Sequence, residues 1–435
     1  MKLATTHQGQ PQLVRAIGRW SMVALAVNSI LGSGIFGLPS LLAAQLGGLS
    51  PLAVVVAGAG TAAIIACYAE IASQFEETGG TYIYVRTAFG RLAGVLVGWM
   101  ILLGRLTAPA AAVNLFVVYL GGFWPQATQP LPRLTLITLF VATLAGANYR
   151  GVTAGTLVSN AAVIGKLIPL LIICVVGVGY LSSHTPLVVP ATGGGGAWLD
   201  AMLLLLFAYG GYESALIPMG ESRNPRRDAV FALFAALIVV SILYTLLQFI
   251  VIAELPEAAA SVRPLADLGR VLMGAPGAVL ISVGALISVY GYLSANMLAL
   301  PRATFALAEQ GDFPQALARV HPRFHTPYIS ILLVALLIWA FAQFASFSWN
   351  VTLSAVARVL YYGGVCIAVL VLRRTQPERA LWRAPGGLWI PLVGTGFCAL
   401  LLTRVDFSKS LILIATIAIA FVNWYLVRDR SAQSS

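Results

Sequence analysis

The chain has 435 residues, 59% of them apolar and only 9% charged, with a formal net charge of +11 and a mean hydropathy of +0.89. Soluble domains carry roughly 25% charged residues, so this composition lacks a surface suited to water and excludes an ordinary soluble domain. A hydrocarbon core about 30 Å thick needs about 20 apolar residues per helix. In chain order the candidate spans are Ser21–Leu46, Leu52–Gln74, Leu92–Phe123, Leu131–Ala147, Val152–Leu181, Trp198–Met219, Ala229–Ala253, Pro276–Ala308, Pro327–Phe344, Trp349–Leu372, Leu388–Leu402 and Leu411–Val427. Leu131–Ala147 and Leu388–Leu402 are the shorter ones. The prediction is an all-α polytopic membrane protein with twelve transmembrane helices.

The twenty residues before the first span are polar, and that span is too long and too polar at its centre for a signal-peptide core. Cys67, Cys174, Cys366 and Cys398 all fall within spans, share no metal-like spacing and read as small core residues. The Gly193–Gly196 run lacks the Lys and Ser/Thr of a phosphate-binding loop and reads as a flexible linker. Threading twelve spans with the first loop outside puts eighteen of the 26 Lys and Arg on or near the side of the termini. Five lie opposite (Arg133, Arg263, Arg270, Arg404, Lys409), and Arg105, Lys166 and Arg358 sit within spans. The positive-inside rule then makes both termini cytoplasmic, and the basic balance is topological, with no nucleic-acid partner implied.

Two spans are interrupted. The first carries NSILGSGIFGLP from Asn28 to Pro39, the sixth FAYGGYESALIP from Phe207 to Pro218. Lipid offers no partners to free backbone groups, so non-helical backbone at that depth must line a cavity or bind a ligand. Each break opens a group of five spans, and an odd number inverts the second group relative to the first. A five-plus-five inverted repeat with broken helices 1 and 6 follows, with the last two helices left over. The units are then residues 1–20 (cytoplasmic tail), 21–181 (repeat one), 198–372 (repeat two), 388–427 (helices 11 and 12) and 428–435 (cytoplasmic tail).

At these residues the chain resembles the amino acid–polyamine–organocation superfamily, most of all its proton-coupled, cationic-amino-acid-transporter-like branch. The matching pieces are GSGIF from Gly32, YAE from Tyr68, GGTYIYV from Gly79, KLIPLL from Lys166, YGGYE from Tyr209, ESRNPRR from Glu221, and PRATFALAEQGDFP from Pro301 to Pro314. They run in order from about Ser21 to Pro314; the last four helices match only in length and charge pattern. The resemblance implies the same inverted-repeat fold, an amino acid substrate and alternating access.

The candidate substrate-binding residues are Ser29, Ile30, Gly32, Ser33 and Gly34 at the first break. Phe207, Ala208, Tyr209, Gly210 and Tyr212 serve at the second, with Asn296 in the eighth span, where Ser288 is a further polar position that can face the site. Exposed amides and the positive end of the half-helix after Gly34 suit a carboxylate, and carbonyls around Gly210 suit an ammonium. Glycines in membrane helices also serve close packing, which is the plainer reading of either motif. Phe207 matches the position of a gating tryptophan in the superfamily's arginine/agmatine antiporter, a departure that argues for a different side-chain preference; plain core or lipid packing is the other reading.

Lys166 lies midway along the fifth span, where an ammonium costs about 2.5–3.5 kcal/mol on insertion scales and should face a cavity or partner. In the branch resembled, the matching lysine stands where sodium-coupled relatives hold sodium, which implies a proton-coupling amine. The alternative is a fixed charge holding the carbonyls of a broken helix. Glu213 is either a proton relay or a counter-ion to Arg105 or Lys166. Arg105 and Arg358 keep their protons and read as gate or structural ion pairs, and Glu70 as a structural residue of the inner gate.

The resulting expectation is a secondary active amino-acid transporter in a bacterial inner membrane, a proton-coupled symporter with no cofactor or metal. An amino acid/amine exchanger is the runner-up. An amino-acid sensor would carry an added soluble domain, for which tails of about twenty and eight residues leave little room. No HExxH, GxSxG or facing aspartate pair supports an enzyme. The sequence leaves the oligomeric state and the side chain carried open.

Overall fold

The computed structural model describes residues 18–75, 80–151, 156–181, 190, 193–222 and 224–427; residues 1–17 of the first tail and the tail 428–435 lie outside the described residues. Five helices start where the sequence supplies a residue suited to a first turn. Proline, whose missing N–H is one of the unpaired donors anyway, opens or nearly opens α3 (Ser50–Ala72), α6 (Pro130–Tyr149), α9 (Pro225–Glu254) and α10 (Pro264–Glu309). The Ser346 hydroxyl accepts the Trp349 amide to cap α12 (Phe347–Thr375). The remaining helices are α1 (Arg19–Ile30), α2 (Gly34–Leu46), α4 (Thr81–Phe89), α5 (Arg91–Leu120), α7 (Thr156–Leu181), α8 (Gly195–Tyr209), α11 (Tyr328–Phe344), α13 (Trp389–Leu402) and α14 (Phe407–Val427).

The protein is an all-α polytopic membrane protein. Among the described residues eight segments are long and apolar enough to cross a bilayer, and α1 with α2 make a ninth, bent by 51° at its break. Three shorter apolar helices, in α7, α11 and α13, complete the set of segments expected from the sequence. The ends differ in places. Gly195 and Gly196, expected in a linker, form the first turn of α8 because nothing in the glycine run itself blocks a helix. The eighth span, expected from Pro276, is preceded by a further helical stretch from Pro264, joined across a kink at Gly274 (φ 71°). Close approach enforces glycine there too: a Cβ on Gly277 would run into the Gly269 carbonyl.

Burial separates an inner bundle from a rim. The Gly195–Leu216 segment and α5 are mostly buried, whereas α6 and α14 are mostly exposed and turn Leu139, Leu411, Ile414 and Val422 outward. The strongest packing pairs α5 with α12, α7 with α10, and α3 with α9. Numbering spans by order, these are three with ten, five with eight, and two with seven. Adding five to each span of repeat one, and subtracting five from each of repeat two, exchanges the first two pairs and preserves the third. A repeat related by a pseudo-two-fold axis requires that exchange.

Candidate functional site

In the first broken span, α1 stops at Ile30. Leu31 leaves the helical region (ψ 75°), the Gly32 amide turns back to the Ile30 carbonyl at 2.7 Å, and α2 restarts at Gly34. The freed carbonyls do not go unmet. Lys166 Nζ, carried in from the middle of α7, donates to the Asn28 carbonyl (2.8 Å) and the Leu31 carbonyl (2.6 Å). At the other side of the break, the amides of Ser33, Gly34 and Ile35 have no backbone partner among the described residues. These amides and the positive end of α2 form an anion-favouring corner.

The second break has the opposite polarity. α8 ends at Tyr209, Gly210 is extended, Gly211 takes φ +115°, and a 3-10 helix runs over Tyr212–Glu221. Gly211 is sterically required, because a Cβ there would overlap the Ser29 carbonyl, and a Cβ on Gly210 would displace the Arg358 guanidinium. The breaks therefore touch each other. The Tyr244 hydroxyl, from α9, lies 3.3 Å from the Ile30 carbonyl and 3.1 Å from the Ala208 carbonyl, fixing one break against the other.

Between them lies a cavity of about 330 Å³. Of the residues expected at the substrate site, Ser29, Ile30, Gly32, Ser33, Gly34, Phe207, Ala208, Gly210 and Asn296 line it. Tyr209 and Tyr212 do not. The Tyr209 side chain points to α3, where its hydroxyl donates to the Val54 carbonyl at 3.0 Å. Tyr212 is fully buried, stacked on Tyr362 with Tyr68 edge-on. Successive side chains turn by about 100° around a helix, and the backbone changes course between α8 and the 3-10 helix, so a motif read as one unit supplies both cavity and packing residues. Ser288 lines the cavity with Asn296, both on α10, and the expectation missed the rest of that face: Gly291, Tyr292, Ala295 and Ala299 join them along the wall. Their spacing of three and four residues was a legible signal, a stripe of small and polar positions on one helical face.

The charged groups converge on this cavity. Lys166, Glu213, Arg105 and Arg358 all line it. Glu213 pairs with Arg358 (3.4 Å) and not with Arg105 or Lys166, the two partners weighed for it as a counter-ion. Its carboxylate is saturated: Oε1 also accepts from Tyr361 (3.1 Å), and Oε2 from Tyr362 (2.9 Å) and the Gly211 amide (2.9 Å). Arg358 further lays its guanidinium over the Phe207 ring, 5.7 Å from the centroid. Arg105 donates to the neutral Ser214 hydroxyl at 2.9 Å.

Glu70 lies away from the cavity, at the end of α3 on the face where the chain enters α1. Its fully buried carboxylate receives Arg373 Nε and Nη2, both at 2.6 Å, and the Ala384 amide at 2.8 Å. A second tie on this face is centred on Asp312, which accepts from Arg86 (2.8 Å), Arg91 (2.7 Å) and Tyr82. Burial first, and then the Asp312 carboxylate, raises the Tyr82 hydroxyl well above the usual tyrosine pKa, so it remains a donor. Neither arginine partner of Asp312 was predicted from sequence, because the contact joins residues more than 220 positions apart.

Twelve apolar segments among the described residues, around a polar, mid-span cavity between two helix breaks, define a polytopic membrane transporter. A family model described as amino acid permease matches residues 17–426, and the chain belongs to that family. The resemblance to the amino acid–polyamine–organocation superfamily is thereby confirmed. Among relatives, a methylthioribose transporter of Bacillus subtilis (strain 168) is 27% identical over 89% of this chain and 87% of its own length. A serine/threonine exchanger of the same organism is 28% identical over 89% of this chain and 90% of its own length. A branched-chain amino acid permease, also from Bacillus subtilis, is 27% identical over 98% and 95%.

Proposed function

We propose that this protein is a secondary active amino-acid transporter that works by alternating access, moving substrate together with a proton across a bacterial inner membrane, with both termini cytoplasmic. The observation that carries this reading is the cavity between two half-helix ends of opposite sign. The unpaired amides at the start of α2 suit a carboxylate, and the carbonyl end of α8 suits the α-ammonium of the same molecule. Relatives named as an amino acid permease and an amino acid exchanger support the substrate class.

Lys166 is the proposed coupling group. As an ammonium it has three donors and makes charge-assisted bonds to two carbonyls that the break in helix one leaves free. Without its proton it becomes an amine with two donors and a lone pair, and its hold on Asn28 and Leu31 weakens. Protonation thus acts on the same segment that would hold the substrate carboxylate. The saturated, ion-paired surroundings of Glu213 suit a fixed counter-ion better than a relay.

The test is uptake by purified protein in proteoliposomes with and without an inward proton gradient. Lys166→Ala should lose gradient-driven accumulation, and Lys166→Arg should lose it too, because a guanidinium does not release its proton. Full accumulation by the arginine variant would overturn the coupling role. Exchange is the second reading, favoured by the relative named as an exchanger. It predicts uptake only into liposomes preloaded with amino acid or amine, insensitive to the pH gradient.

A further inference from the structure

The charges around the cavity narrow the substrate, on the footing of the amino-acid reading above. Three cations, Arg105, Lys166 and Arg358, border the same volume, against one carboxylate, Glu213, among the described residues. Two of the cations are engaged. Lys166 holds backbone carbonyls, and Arg358 has both Glu213 and the Phe207 ring.

Arg105 is placed differently. It projects from the middle of α5, is part-exposed to the cavity, and has no carboxylate within ion-pair distance among the described residues. Its partner is the neutral hydroxyl of Ser214. A guanidinium carries five donors in a planar fork, so one hydroxyl leaves most of that capacity unused. A full charge at mid-span is costly even on lenient insertion scales, and a neutral hydroxyl does little to offset it. A zwitterion with an uncharged side chain would leave the surplus of positive charge as it was. A second carboxylate would reduce it by one and match the guanidinium fork in bidentate geometry.

We propose that the substrate is an amino acid whose side chain ends in a carboxylate. Its α-carboxylate sits on the amides that open α2, and its side-chain carboxylate sits on Arg105. The same arrangement rejects cationic amino acids. Arg105 and Arg358 repel them, and the Phe207 face, the aromatic surface best suited to a cation, is already covered by Arg358. Resemblance to a cationic-amino-acid branch therefore does not extend to substrate charge.

The experiment compares near-isosteric pairs on purified full-length protein: L-glutamate against L-glutamine and L-aspartate against L-asparagine, with L-serine, L-leucine and L-lysine alongside. Binding is read as a ligand-dependent rise in apparent melting temperature and confirmed by uptake of the radiolabelled compound. The acid of each pair should bind at least about tenfold more tightly than its amide, and lysine should give no stabilisation. Arg105→Gln should bring the acid-to-amide ratio to about one, while Arg105→Lys, which keeps the charge, should retain a preference for the acid. Amides binding as well as acids, or lysine binding best, would overturn the proposal while leaving the amino-acid reading intact. No stabilisation or uptake with any of the seven compounds would count against both, and methylthioribose uptake in its place would assign the cavity to another substrate class. If the glutamine variant fails to fold, the wild-type acid-to-amide ratio decides by itself.

Discussion

Removing Arg373 should destabilise the protein more than any single exposed charge could. Glu70 is fully buried, and Arg373 is only 14% exposed at its side chain. Two of the three donors reaching the Glu70 carboxylate come from this one guanidinium, at 2.6 Å each. Arg373→Gln leaves a buried carboxylate with the Ala384 amide as its remaining partner, and breaking a buried pair in this way costs about 3–5 kcal/mol. Glu70→Gln should cost less, since an amide oxygen can still accept from Ala384. In the double variant no buried charge is left unpaired, so its loss should fall short of the sum of the two singles by about 2 kcal/mol. The assay is unfolding of purified protein in mixed micelles titrated with SDS, with the four proteins compared at one temperature. The reasoning fails if Arg373→Gln stays within about 0.5 kcal/mol of the parent, the scale of a surface change, or if the single effects simply add. Because the pair ties α3 to the end of α12 on one face, weakening it should also favour conformations open on that face, by about tenfold for each 1.4 kcal/mol lost from the closed form.

Gly211→Ala combines a positive φ of 115° with a Cβ that would overlap the Ser29 carbonyl, so it should force the two breaks apart and abolish ligand-induced thermal stabilisation. An unchanged ligand response would show that contact between the breaks is not needed for binding. Topology is tested at Gln126, exposed in the turn between α5 and α6: Gln126→Cys, in a background without Cys67, Cys174, Cys366 and Cys398, should react with an impermeant thiol reagent on intact cells. Reaction only after permeabilisation would reverse the assignment of sides.

The fold was legible because lipid imposes the strongest rule a sequence can carry. Each crossing must be a continuous apolar helix, and a break is tolerated only where something meets its backbone groups. GSGIF and YGGYE therefore announced the cavity walls before any geometry was known, and the mid-span position of Lys166 required a partner. What stayed hidden was which partner. Lys166 met carbonyls at the end of α1 and in the break after it, 138 and 135 residues away, and Glu213 met Arg358 across 145. Charge alone ranks such pairings equally, since any cation at mid-depth satisfies any carboxylate. The choice is made by which faces of α5, α7 and α12 turn inward, and that depends on packing among distant spans.

The same limit explains why the tyrosines of the second motif were misplaced and why Arg105 escaped notice as a ligand group. Hydropathy sees a residue's depth along the span, whereas its role depends on azimuth around the helix axis. For α10, small and polar residues repeat every three to four positions, and azimuth can be read directly. In α5, Arg105 stands amid Leu, Gly, Thr and Ala with no comparable stripe, and only the folded bundle turns it toward Ser214 and the cavity. Substrate charge is accordingly set by the residue whose direction the sequence encodes least, which makes Arg105 the position at which relatives sharing both breaks can diverge in what they carry.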